Sequence, residues 1–94
     1  MIDKFENIEK YTRAINTLND LASRNGLVAT YTVYIELGEM IFSARFIDCI
    51  GDVFSIDLPI SSLFQSKFPE VLIRANFSIS YNLYMDKKEK ENES

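Results

Sequence analysis

The chain has 94 residues, of which 47% are hydrophobic and 13% are aromatic. This length allows one domain, and the apolar content is high enough for a packed core, which excludes a wholly disordered chain. The formal net charge is −4 at pH 7. That charge argues against nucleic acid as the main partner, because nucleic-acid binding depends on Lys and Arg side chains that neutralise phosphates.

The residue types also limit the chemistry. The sequence contains no histidine and only one cysteine, Cys49. Without histidine the chain lacks the usual general base near neutral pH and the commonest metal ligand, and a Ser–His–Asp or Cys–His arrangement is impossible. None of the three glycines belongs to a phosphate-binding motif. We therefore expect a protein that is not an enzyme and that has neither a cofactor nor a metal site.

The first predicted element is an amphipathic helix from Asp3 to about Arg24. Asp3 and Glu6 have the spacing of a capping box, and Asn25-Gly26 supplies a stop signal. Apolar residues recur at three- and four-residue steps and form one stripe, which is typical of a helix that covers a core. The stripe consists of Phe5, Ile8, Tyr11, Ile15, Leu18 and Ala22.

From residue 27 the apolar period changes to two, which predicts β-strands. Residues 31–46 (YTVYIELGEMIFSARF) predict a hairpin with a two-residue type II′ turn at Gly38-Glu39, because glycine comes first. The face with Tyr34 and Arg45 is mostly polar, as expected for a sheet that is covered on one side only. The predicted register places three apolar pairs on the other face: Ile35 with Phe42, Val33 with Ala44, and Tyr31 with Phe46.

A second turn is predicted at residues 49–51. A three-residue loop over Cys49-Ile50-Gly51, with Gly51 in the left-handed region, keeps the next strand's apolar residues on the apolar face, whereas a two-residue loop would move them to the polar face. Those apolar residues are Phe54, Ile56 and Leu58.

Three carboxylates flank this second turn: Asp48, Asp52 and Asp57. They could approach one another as a hard-cation site or as an acid–base pair. The interpretation we favour is turn formation and solvated strand ends. Cys49 has no neighbouring cation in the sequence that would activate its thiol, so we expect it to be a small buried apolar side chain.

The last third of the chain is divided into three segments. Residues 59–69 (PISSLFQSKFP) break the alternation and predict one or two helical turns, or a loop with hydrophobic anchors. Residues 71–85 (VLIRANFSISYNLYM) alternate throughout and predict a strand that is longer than usual. Residues 86–94 are charged and contain no apolar side chain, which predicts a disordered tail after a single domain over residues 1–85.

The predicted order is therefore a helix, a three-strand meander, a short helix and a long fourth strand. An α+β fold, with the N-terminal helix packed on an antiparallel sheet of about four strands, is the natural arrangement of these elements. The alternative is a small, strongly bent barrel with an N-terminal helix, as in SH3-like and Sm-like barrels.

The leading functional hypothesis is a non-catalytic protein–protein interaction module. The expected protein is a small acidic accessory, inhibitor or adaptor protein, of the kind that phages and mobile elements encode, which binds its partner stoichiometrically. A long strand over residues 71–85 with a free edge could pair two copies into a homodimer or capture an extended peptide. The predicted contact residues are Tyr34, Arg45, Arg74, Asn76, Ser78, Ser80 and Asn82.

Two other functions are kept as alternatives. One is a chaperone-like binder of extended client segments, which would need an exposed apolar groove such as one built from Phe64, Phe68 and Leu72. The other is a sheet face that binds single-stranded RNA, for which two arginines on an acidic protein are weak support. The charged N-terminus and the short apolar runs predict a cytoplasmic protein that does not bind membranes.

Overall fold

The structure, a computed structural model, describes residues 4–92. The elements in chain order are α1 (Lys4–Arg24), β1 (Val28–Glu36), β2 (Glu39–Ile47), β3 (Val53–Pro59), α2 (Ile60–Gln65) and α3 (Pro69–Asn92). The predicted α+β class is confirmed. The described residues form an open antiparallel sheet of three strands in the order β1-β2-β3, so neither a fourth strand nor the alternative barrel is present among them.

Helix α1 ends at Arg24 as predicted, and its C-terminus is a Schellman motif. The Leu27 amide donates to the Ala22 carbonyl at 2.8 Å, and the Gly26 amide donates to the Ser23 carbonyl at 3.4 Å. Gly26 has φ +66°, a left-handed conformation that glycine adopts without a Cβ penalty. The N-terminal capping box involves Asp3, which lies outside the described residues.

The apolar stripe of α1 covers the sheet over only part of its length. Leu18 and Ala22 are buried in the core, and so is Ala14, which lies one helical turn before Leu18 but was not part of the predicted stripe. Phe5 and Ile8, which belong to the predicted stripe, are exposed. The first two turns of α1 therefore present apolar side chains to solvent.

The first hairpin has a different register from the predicted one. The turn lies at Leu37-Gly38, and Val33 pairs with Phe42, so the pairing is shifted by two residues relative to the predicted turn at Gly38-Glu39. Both turn residues have positive φ, +51° for Leu37 and +77° for Gly38, which is the type I′ geometry that matches strand twist. Because the side-chain period is two, the shift leaves the predicted faces unchanged.

The second turn is confirmed as predicted. The Asp48 amide donates to the Asp52 carbonyl at 3.0 Å, which leaves a three-residue loop at 49–51, and Gly51 has φ +92°. Because of this loop length, the apolar residues of β3 lie on the same face as those of β2, and the helices cover that face. The buried residues of the covered face are Phe42, Ala44, Phe46, Ile56 and Leu58.

Helix α2 confirms the one or two helical turns predicted within residues 59–69. Leu63 is its buried anchor. The Lys10 ammonium donates to the Phe64 carbonyl at 2.7 Å, which satisfies a carbonyl near the end of α2. Arg13 of α1 makes a bidentate contact with Glu70 of α3, at 2.8 to 3.1 Å. These polar contacts fix α1 against the C-terminal third of the chain.

The predicted strand over residues 71–85 is wrong, because this segment belongs to α3. The alternation has a geometric explanation. Helix α3 is apolar on two opposite faces, and a helix with two such faces has an apolar period of about 1.8 residues, which is hard to distinguish from the strand period of two. The odd-numbered residues from 71 to 83 fall alternately on the two faces.

The two faces of α3 differ in burial. The inner face packs on β2 and β3 through Ile73, Phe77, Tyr81 and Tyr84. The opposite face, here called the outer stripe, is exposed or only partly covered. The outer stripe consists of Phe68, Val71, Leu72, Ala75, Ile79 and Leu83.

Residues 86–92, expected to belong to a disordered tail, form the last turns of α3. Lys88 explains their order, because its ammonium contacts the Asp48 carboxylate at 2.5 Å and the Asp52 carboxylate at 3.3 Å. Tyr84 donates a hydrogen bond to the same Asp48 oxygen. The charged end of α3 is thereby held against the β2–β3 turn.

Candidate interaction surfaces

The seven predicted contact residues do not form one surface. Tyr34 and Arg45 lie on the open face of the sheet, on the side away from the helices. The other five lie on α3, where successive residues turn by about 100°, so alternate positions point in different directions. They are Arg74, Asn76, Ser78, Ser80 and Asn82. The RNA-binding alternative would need Arg45 and Arg74 on one sheet face, and this placement is wrong because Arg74 lies on α3.

The open face of the sheet is polar and shallow. A depression of about 250 Å³ is lined by Arg45 and by polar residues of β1 and β2. Elsewhere on this open face, the Tyr34 hydroxyl donates to the Asp57 carboxylate at 3.4 Å. Partial burial, followed by the nearby Asp57 charge, raises the pKa of Tyr34.

Two of the three carboxylates around the second turn, Asp48 and Asp52, make ion pairs with Lys88. Asp48 accepts hydrogen bonds from the amides of Ile50 and Asp52 at 3.0 and 2.9 Å, and Lys88 occupies the space where a cation would bind Asp48 and Asp52. The hydrogen bonds from Lys88 and then Tyr84 hold the pKa of Asp48 well below its usual range. Asp57 is not part of this group. The interpretation as turn chemistry is supported.

Cys49 is exposed at the second turn, so the expectation of a buried side chain is wrong. Its neighbour Ile50 is exposed as well, because a three-residue loop projects both side chains beyond the end of the sheet. Among residues 4–92 no group of three or more His, Cys, Asp or Glu side chains is placed to hold a metal ion. Within the same range no helix is long and apolar enough to cross a membrane.

The least expected surface is the end of the first hairpin, residues 35–40, here called the hairpin tip. Leu37 is fully exposed, and Ile35 and Met40 are exposed beside it. Glu36 and Glu39 face each other directly across the last pair of the ladder, and neither makes an ion pair within the described residues. The tip therefore combines three exposed apolar side chains with two unpaired negative charges.

Sequence reasoning missed the hairpin tip because it placed the turn one residue too late. With the turn at Gly38-Glu39, Leu37 becomes the last strand residue. The available signal was a large apolar residue directly before Gly38, at a position where type I′ turns usually have Asn or Asp.

The edge of β1 leads to this tip. β1 pairs only with β2 among the described strands, so its other edge carries unpaired backbone groups. Natural edges are usually protected by Lys, Pro or a bulge. Over Val28–Glu36 the sequence VATYTVYIE has neither Lys nor Pro, and its register with β2 is continuous without a bulge.

No protein-family model, curated protein or solved structure matches this chain. Function must therefore be inferred from the surfaces themselves.

Proposed function

We propose that the protein is a non-catalytic interaction module that binds a partner protein stoichiometrically through the hairpin tip and the adjacent edge of β1. The observation that supports this most strongly is the state of Leu37. It is fully exposed, and it has a left-handed backbone conformation with φ +51°. The hairpin needs the left-handed conformation at this position, but leucine suits it less well than Asn, Asp or Gly, and the exposed side chain buries no apolar surface.

The cost of this arrangement can be estimated. A left-handed conformation costs a residue with a Cβ roughly 1–2 kcal/mol, and Asn and Asp tolerate it better than Leu. The facing pair of Glu36 and Glu39 adds repulsion, because like charges directly opposite each other weaken a ladder. Unfavourable local features that persist at an exposed position are typical of binding sites. The tip fits a role in recognition better than a role in stability.

The chemistry of the tip indicates what it binds. Ile35, Leu37 and Met40 suit an apolar pocket on the partner, and Glu36 and Glu39 suit basic groups at the rim of that pocket. The β1 edge can add an extended partner segment as a further strand, with main-chain hydrogen bonds. An accessory, inhibitor or adaptor protein would use such a site.

Other parts of the chain agree with this proposal. A cytoplasmic location is part of it, because Cys49 is an exposed free thiol and free thiols persist in reducing compartments. A nucleic-acid partner is disfavoured, since Arg45 and Arg74 lie on different elements and the net charge is −4. Catalysis is disfavoured because the chain lacks histidine.

A matched pair of substitutions tests the proposal. Ile35 at the tip and Ile50 at the second turn are 73% and 72% exposed, and they lie at opposite ends of the sheet, about 30 Å apart along the nine residues of β2. Tagged wild-type protein, Ile35→Thr and Ile50→Thr are used to capture partners from the native cell, and the amount of captured partner is measured by quantitative mass spectrometry. We expect Ile35→Thr to lose at least about 90% of the partner, as for a hot-spot residue, and Ile50→Thr to retain it.

Equal capture by both variants would contradict the tip as the contact site. Loss with Ile50→Thr alone, while the thermal stability of both variants stays near that of wild type, would move the contact to the opposite end of the sheet.

A further inference from the structure

We infer that two copies of this chain associate through the outer stripe of α3, as a symmetric antiparallel helix pair. This surface is separate from the hairpin tip, and the inference does not depend on the function proposed above. It differs from the homodimer predicted from the sequence, because the contact is made by helix faces and not by strand edges.

The outer stripe is a continuous apolar surface along one face of α3. Phe68, Val71, Ile79 and Leu83 are between 59% and 66% exposed. Together they present on the order of 400 Å² of apolar surface, which is within the range of the largest patches on typical monomers. The stripe extends about 22 Å along the helix, at 1.5 Å per residue.

The N-terminal half of the stripe is a groove that exposed side chains of a second copy can occupy. The N-terminal half is a shallow groove of about 430 Å³, lined by the side chains of Phe68, Val71, Leu72 and Ala75 together with the preceding loop. The C-terminal half presents the exposed side chains of Ile79 and Leu83. In an antiparallel pair Ile79 and Leu83 of each copy face the groove of the other, so the same contact forms twice.

The centre of the stripe allows close approach. Pairing Phe68 of one copy with Leu83 of the other places Ala75 next to the two-fold axis. A small residue at a helix crossing lets the backbones come close, with the larger side chains packing on either side. The outer stripe therefore matches a second copy of itself in size as well as in apolar character.

Charge supports the same pairing. Lys67 lines the groove, and Asp86 follows Leu83 by about one helical turn on the same face. Both are exposed, and neither makes an ion pair within the described residues. The antiparallel register brings Asp86 of each copy next to Lys67 of the other, and to the positive end of that copy's α3 dipole.

The expected affinity is modest. Two stripes bury about 800 Å² of apolar surface, and the flanking polar residues bring the total near 1,200 Å², the lower end for specific interfaces. We therefore expect a dissociation constant in the micromolar range.

The first test is sedimentation equilibrium of the full chain from 1 μM to 1 mM. Wild-type protein is expected to shift from monomer to dimer across this range. Ile79→Glu is expected to raise the dissociation constant at least about 100-fold, whereas Ile35→Glu, the exposed isoleucine of the hairpin tip, leaves it unchanged. A wild-type chain that stays monomeric at 1 mM would overturn the inference, and so would a dimer that Ile79→Glu leaves intact while circular dichroism shows both proteins folded.

A charge exchange and a cross-link test the antiparallel register. Lys67→Glu is expected to weaken the dimer about tenfold, and adding Asp86→Lys is expected to restore it to within about threefold of wild type. In a Cys49→Ser background, Ala75→Cys is expected to form a disulfide between copies. Asn82→Cys, on the same face but about 20 Å from its symmetry mate, is not. Equal cross-linking at both positions, or no rescue by the second charge change, would contradict the antiparallel pair.

Discussion

The same substitution at two isoleucines of α3, six residues apart, should change the free energy of unfolding by very different amounts, because the two side chains lie on different faces of the helix. Ile73 is fully buried, and Ile79 is 64% exposed. An Ile→Ala change removes three carbons, which corresponds to about 2.5 kcal/mol of transfer free energy for a buried side chain at roughly 0.8 kcal/mol per methylene. The cavity left behind raises the cost, so we expect Ile73→Ala to lower the free energy of unfolding by about 3–4 kcal/mol.

The same change at Ile79 costs much less. Because only about a third of the Ile79 side chain is covered, the transfer free energy lost on its truncation is about a third of that at Ile73, or about 0.9 kcal/mol. Alanine is the better helix former by a few tenths of a kcal/mol, and this offsets part of the loss. We expect Ile79→Ala to lower the free energy of unfolding by about 0.5 kcal/mol.

Urea denaturation followed by far-UV circular dichroism measures both changes, at two protein concentrations so that any effect of association is visible. For a domain of this size the difference between the two variants corresponds to a gap in Tm of more than about 10 °C. If residues 71–85 were a strand, Ile73 and Ile79 would lie on the same face and lose similar amounts. Losses within about 1 kcal/mol of each other would refute the two-faced helix.

Two further predictions concern the contacts that hold α3 in place. Asp48→Asn removes the charge that Lys88 neutralises. Because the pKa of Asp48 is lowered in the folded protein, its contribution to stability is fully present above its unfolded pKa of about 3.9 and is lost as the pH falls below that value. The Tm difference between wild type and Asp48→Asn should therefore be constant from pH 5 to 7 and shrink between about pH 4 and pH 2, and a difference independent of pH in that acid range would contradict the ion pair. Arg13→Met removes the partly exposed bidentate contact with Glu70 and should lower the free energy of unfolding by about 1 kcal/mol, as measured by urea titration. A Glu70→Gln change in the Arg13→Met background should lower the free energy of unfolding only slightly further. If the losses of the two single variants simply added in the double variant, the two side chains would not be coupled.

Local signals predicted most of the N-terminal two thirds of the fold. The end of α1 could be predicted because Asn25-Gly26 is a backbone signal that works through nearby atoms. The loop around Gly51 could be predicted because only an odd loop length keeps one continuous apolar face. The first turn was misplaced by one residue, since the sequence favours glycine at the first turn position and the structure places Leu37 there at an energetic cost.

The C-terminal helix could not be predicted from apolar period alone. A helix with one apolar face has a period of 3.6 residues, but α3 has two faces, and its apolar residues recur almost as they do in a strand. Tertiary contacts decide between the two, since Ile73 and Phe77 complete the core above β2 and β3. The outer stripe of α3 was missed for the same reason. The hairpin tip was missed because the first turn was misplaced, and its exposure also depends on how far the helices extend over the sheet.

The proposed function depends on the hairpin tip, and Leu37→Asn tests it most directly because stability and binding should change in opposite directions. Asn suits the left-handed position in a type I′ turn, so the free energy of unfolding should rise by about 0.5–1 kcal/mol. The apolar anchor is lost, so binding to the partner captured by wild-type protein should fall at least about tenfold. A variant that binds its partner as tightly as wild type would contradict the proposal.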